Sequence, residues 1–91
     1  MNYSFLDLVY VKENHTIQDA FNELKVTAQK ADELQFTRYW LAEHHNMEGV
    51  ASNATSVLMG YVAANTHKIR VGSGGVMLPN HSPLAIAEQF G

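Results

Sequence analysis

The sequence predicts an α/β chain built on a parallel sheet, and three observations carry that prediction. Short apolar runs alternate with longer stretches of helical periodicity in the order βαβαβα, which implies crossover connections and a parallel sheet covered by helices. Of the 91 residues 46% are hydrophobic and 16% charged, the balance of a globular domain. No linker, low-complexity tract or internal repeat interrupts the pattern. An open doubly wound sheet and a part of a barrel both satisfy this order.

Each element has its own signal. Phe5, Leu6, Leu8, Val9 and Tyr10 form an apolar stretch broken only by Asp7, and read as a buried strand ending near Lys12-Glu13-Asn14. Thr16 is placed as an N-cap, followed by Ile17, Ala20, Phe21, Leu24, Ala28, Ala31 and Leu34 at the spacing of one helical stripe. Arg38-Tyr39-Trp40-Leu41-Ala42 reads as a second strand leading into the polar cluster Glu43-His44-His45-Asn46. Asn53 is available to cap a second helix through Ala54, Val57, Leu58, Tyr61 and Val62, ending near Thr66. Ile69–Ser73 suggests a third strand, and Ser82-Pro83 supplies a cap and a first-turn proline for a helix from Leu84 to Phe90.

A parallel barrel needs eight such units over roughly 250 residues. Three units cannot close one, and an open three-stranded sheet exposes strand edges able to pair with other chains. We therefore expect residues 1–91 to be one portion of a larger barrel, or an obligate oligomer.

Composition narrows the function classes. Six basic residues against nine acidic ones give a formal charge of −3 and no basic stripe, which argues against nucleic-acid or polybasic membrane binding. No window reaches the roughly 18 apolar residues of a membrane span, and the first residues lack a signal-peptide pattern. Zero cysteines exclude disulfides and thiolate chemistry and suit the reducing cytoplasm.

Glu43-His44-His45 is the densest titratable set, at the C-terminal end of a strand, where ligand sites of parallel α/β folds gather. In extended backbone Glu43 and His45 share one direction and His44 takes the other. Ordinary loop hydrogen bonding is the competing reading. A metal-dependent hydrolase built on Glu43, His44 and His45 lacks the helical H-E-x-x-H spacing, and His15, His67 and His81 are scattered, so no metal ligand is assigned. Gly72-Ser73-Gly74-Gly75-Val76-Met77 fails the G-x-G-x-x-G fingerprint at Met77. Its glycines leave room for unusual backbone angles, for a flat ligand, or for a simple bulge or turn.

Three blocks go beyond the generic: Arg38-Tyr39-Trp40-Leu41-Ala42-Glu43-His44-His45-Asn46, Ile69-Arg70-Val71-Gly72-Ser73-Gly74-Gly75-Val76-Met77-Leu78-Pro79, and His81-Ser82-Pro83-Leu84 with Ala87-Glu88-Gln89. Together they resemble the bacterial luciferase-like, flavin-dependent monooxygenases over essentially the whole chain. That resemblance implies a TIM (β/α)8 barrel of which residues 1–91 form the first three βα units, strands parallel and helices outside. It implies reduced FMN at the C-terminal mouth, used with dioxygen to oxidise an aldehyde or another small organic substrate. Residue by residue, His44 matches the family's active-site histidine, which assists proton movement. Glu43 matches an acidic residue near the flavin that orients the histidine region or accepts a hydrogen bond, with His45 in support. Gly74 and Gly75 align with a pair joined, in the luciferase, by a non-proline cis peptide against the isoalloxazine ring, a bond expected here only in a complete barrel. Ser73 is placed to donate to the flavin edge. Because phosphate sites of such barrels commonly come from the loops after strands seven and eight, the 91 residues alone are expected to be inactive. The alternative is a non-catalytic flavin-binding or oligomerising remnant, associating through Ile17, Phe21, Leu24 and Val57, Leu58, Tyr61.

Overall fold

The computed structural model describes residues 1–91. Three strands, β1 (Ser4–Asp7), β2 (Arg38–Leu41) and β3 (Arg70–Ser73), form one parallel sheet in the order β1-β2-β3. They alternate with helices α1 (Ile17–Glu33), α2 (Thr55–Ala64) and α3 (Pro83–Phe90), the last preceded by a 3-10 turn at Leu78–Asn80. No helix is long and apolar enough to cross a membrane.

Strand register divides the sheet into two faces. Phe5, Tyr39 and Val71 lie abreast on the helix-covered face, and Leu6, Trp40 and Gly72 lie abreast on the other. Tyr39 and Leu41 are fully buried with Leu24, Ala28, Leu58 and Val62, so the core lies between sheet and helices. The opposite face is uncovered: Leu6 is 55% exposed. Gly72 is required there, because a Cβ on it would stand 2.9 Å from the Trp40 indole.

Local chemistry sets the helix boundaries. Thr16 and Asp19 form a reciprocal capping box that starts α1, and the Ser82 hydroxyl accepts from the Ala85 N–H at 3.2 Å to start α3. Four expectations need correction. The first strand stops at Asp7 rather than Tyr10, because Val9 takes a left-handed φ of 56° and the Asp7 carboxylate accepts its N–H at 2.7 Å. Nor is that strand buried; it lies at the sheet edge with an uncovered face. Asn53 does not cap α2. Ala54 holds the cap position without a side-chain bond, while the buried Thr55 hydroxyl bonds to the Ala42 carbonyl at 3.1 Å, fastening the helix to the exit of β2. On α1 the expected stripe narrows to Ala20, Leu24, Ala28 and Ala31, leaving Ile17 and Leu34 exposed at its ends.

Candidate functional site

Parallel strands bring their C-terminal ends to one rim, and the exits of β2 and β3 meet there. Ala42 continues from β2, its N–H bonded to the Asp7 carbonyl at 3.1 Å, and the His44 N–H is held by the Ser52 carbonyl at 3.1 Å. Ser52 is itself buried and its hydroxyl donates to the Leu8 carbonyl. The segment carrying Glu43 and His44 is thus pinned on both sides by backbone.

The His44 imidazole places Nδ1 3.0 Å from the Glu43 carbonyl. A carbonyl only accepts, so Nδ1 carries the hydrogen, and a neutral ring then leaves Nε2 as a bare lone pair. His44 is partly exposed, and Nε2 makes no hydrogen bond within the protein. It is the atom free to take or return a proton.

Glu43 turns the other way, into the protein, with its side chain 3% exposed. His45 Nε2 lies 2.5 Å from Oε2, and His81 Nε2 spans both oxygens at 2.9 and 3.1 Å. The Met77 N–H donates to Oε1 at 3.3 Å. Burial pushes the Glu43 carboxyl up, but the bonds from His45, His81 and Met77 outweigh it and hold the group below its ordinary range. The alternation read from the sequence thus pairs Glu43 with His45 and sets His44 apart.

The sequence reading leaves His81 among the scattered histidines and, within the resemblance, at the start of its third block, with no role assigned at the site. A usable signal existed: it directly precedes the Ser82 cap, and every helix start after a parallel strand lies on the rim where Glu43 sits. Glu43, His45 and His81 offer ligand atoms within 4.8 Å of one another, a carboxylate–two-imidazole set able to hold a divalent ion. As folded, their donors and acceptors satisfy one another, and no buried side-chain polar atom is left unpaired.

Past β3, the Ser73 hydroxyl bonds within its own turn, to the Gly75 carbonyl, and accepts the Gly75 N–H at 3.2 Å. Gly75 has φ 149° with open space where a Cβ would project, whereas a Cβ on Gly74 would press on Leu6 Cδ1 at 2.8 Å. The Gly74–Gly75 peptide is trans. Leu6, Trp40, Ser73, Gly74 and Gly75 line a shallow hollow on the uncovered face of the sheet. An indole, a leucine and bare backbone make a flat, largely apolar floor, which fits a planar aromatic ring system. No lysine or arginine lines this hollow to hold a phosphate.

Comparison with known proteins agrees with this geometry. The luciferase-like monooxygenase family matches residues 1–91. A luciferase-like monooxygenase of Escherichia coli K12 is 58% identical over 89 residues, covering 98% of this chain and 27% of the relative. The crystal structure of apo-MsnO8 superposes with a TM-score of 0.94 at 39% identity, over 98% of this chain and 27% of the other. The oxygenating constituent of the 3,6-diketocamphane monooxygenase of Pseudomonas putida, a type II Baeyer–Villiger monooxygenase in complex with FMN, gives 0.87 at 18% identity, over 98% and 25%. The second superposition concerns the fold. The chain therefore spans about a quarter of the length of the proteins it matches. Matched along its whole length, in strand order and in residues, the chain belongs to the luciferase-like monooxygenase family.

Proposed function

We propose that these residues contribute the β1–β3 side of an FMN-dependent monooxygenase site that oxidises an aldehyde or another small organic molecule in the cytoplasm. One observation supports this most directly. The bare Nε2 of His44 and the side-chain-free backbone of Gly74–Gly75 stand on one rim, beside a flat apolar hollow. Bound and reduced, FMN supplies the reactivity toward dioxygen. In this reading His44 holds or returns a proton at Nε2, near neutral pH, where an imidazole does so most readily. Gly74 and Gly75 present backbone to the ring, Ser73 shapes that turn, and Glu43 holds the segment bearing the histidine.

The rest of the pocket must come from elsewhere. The hollow is open, so water reaches it, and it lacks a cationic phosphate anchor. We expect the 91-residue chain, supplied with reduced FMN and a long-chain aldehyde, to show no appreciable aldehyde oxidation; measurable product would disprove that dependence on further barrel units. Flavin fluorescence titration tests the cofactor assignment: weak quenching is expected, abolished by Gly74→Leu, whose Cβ would stand 2.8 Å from Leu6 Cδ1 and 3.6 Å from Trp40 Cβ, two side chains that line the hollow. Quenching indifferent to Gly74→Leu would overturn the assignment of flavin to this hollow, and no quenching at all would favour the non-catalytic, oligomerising alternative.

A further inference from the structure

We propose that His81 is a positioning residue of this site: acting through Glu43, it clasps the connection between β3 and α3 to the exit of β2, and so sets Gly74–Gly75 relative to the His44 imidazole. The consequence for flavin rests on the function proposed above; the clasp itself does not.

The hydrogen bonds of the connection carry the inference. Within residues 76–81, Leu78 N–H bonds to Val76, Asn80 to Met77 and His81 to Leu78, all local. The bonds that leave this segment all end on one group: Met77 N–H and His81 Nε2 both reach the Glu43 carboxylate. Packing offers no substitute, because no residue from Gly74 to Gly91 is buried. Glu43 is the opposite case, a carboxylate with 3% side-chain exposure on a segment fixed by buried Ser52 and Thr55. A buried carboxylate holds its charge only when donors surround it, and two of its three donor groups come from this connection. The link is therefore mutual: the connection is located by Glu43, and Glu43 is solvated by the connection.

His81 suits the role by geometry. One Nε2–H faces both oxygens, so the ring is centred on the carboxylate rather than hung from one corner. Its neighbour Ser82 caps α3, so fixing His81 also fixes the start of that helix. At the other end, the Gly74 N–H is bonded to the Leu41 carbonyl at 2.6 Å. The segment is thus tied at its start by β2 backbone and at its end by Glu43, two residues further along the same chain stretch.

The test compares His81→Ala, His81→Gln and His81→Asn in the 91-residue chain. Amide hydrogen exchange is followed with the ring-proton signals of His44, without flavin. In His81→Ala we expect Met77 and its neighbours through residue 81 to exchange at least about tenfold faster and the His44 signal to move, while α1 amides keep their protection. The Gln side chain places an amide nitrogen near the former Nε2 and should restore both readouts; Asn is too short and should not. If His81→Ala fails to fold, the contrast of Gln with Asn decides. Unchanged exchange over residues 76–81 in the Ala and Asn variants, or a Gln variant as loose as Asn, overturns the clasp. FMN titration of the same proteins separates the two proposals. Loosening without FMN binding by any of them leaves the clasp standing and counts against the flavin reading. Equal FMN affinity in tight and loosened variants overturns the positioning role.

Discussion

Tyr39 is fully buried, yet its hydroxyl has a partner: it donates to Asp7 Oδ2, while the ring stacks on Phe5 at 5.3 Å. Burial pushes the phenol pKa far up, with the Asp7 bond and charge adding to it, so Tyr39 remains a neutral donor. The other Asp7 oxygen holds the Val9 N–H, and that bond supports a β-branched residue at φ 56°, a conformation costing roughly 1–2 kcal/mol. Removing one hydroxyl therefore affects the exit of β1 as well as the core. Tyr39→Phe should destabilise the fold by roughly 1.5–3 kcal/mol, the range for a hydrogen bond to a charged group, measured as a lower urea midpoint at unchanged m-value. Glu43 gives a prediction in pH. Its folded pKa lies below the ordinary 4.5, so its ionisation contributes stability that is complete above that value and is lost as pH falls through the folded pKa. Glu43→Gln should lower stability at neutral pH and flatten the acid limb of a melting-temperature profile below about pH 4.5. An acid limb as steep in the variant as in the parent would mean that other carboxylates, such as Asp32, account for it.

At the level of elements, α1 ends in a Schellman arrangement: Phe36 N–H bonds to the Ala31 carbonyl and Gln35 N–H to that of Asp32, both at 3.0 Å. Gln35 occupies the left-handed position at φ 64°, exposed, where glycine is the favoured residue. Gln35→Gly relieves about 1–2 kcal/mol of steric cost and gives back about 0.4–1 kcal/mol to unfolded-chain entropy, so a net gain of about 0.5–1 kcal/mol is expected in chemical denaturation. Nothing in the sequence flags that ending, since glutamine carries no left-handed signature. The legible elements are those whose start is written locally, Thr16 for α1 and Ser82-Pro83 for α3. For α2 the sequence misled, because Thr55 bonds to the β2 exit and the helix begins without a side-chain cap. Edge strand β1 misled too: an apolar run reads as buried whether or not another layer covers it. The same divide runs through the site. Glu43, His44 and His45 stand together in the chain, and alternation alone separates the imidazole of His44 from the paired side chains. His81 joins them across 38 residues, and Asp32 takes the N–H groups of His67, Lys68 and Ile69 across as long a gap, contacts that only the folded topology creates.

For the whole molecule, area is the informative quantity. A compact monomer of 10.1 kDa has about 5,300 Å² of accessible surface by the usual scaling, whereas this chain has 6254 Å². The excess, on the order of 1,000 Å², is comparable to the roughly 800 Å² that one partner contributes to a standard protein interface. It is also located: Leu6 at 55% exposure and the partly exposed Trp40 lie on the uncovered face, and β1 and β3 each have one unpaired edge. In a closed barrel that face would form the packed interior and those edges would pair with the neighbouring strands. By itself the 91-residue chain should satisfy the same surfaces with a second copy, giving a weight-average mass above 10.1 kDa that rises with concentration in sedimentation equilibrium. Leu6→Lys puts a charge on the uncovered face, at its β1 edge, without touching the core under α1 and α2. It should return the mass toward the monomer while helical circular dichroism stays unchanged. A variant that still associates would move the contact to the outer helix faces, where Ile17 and Val57 are exposed at 58% and 69%, and would detach self-association from barrel closure.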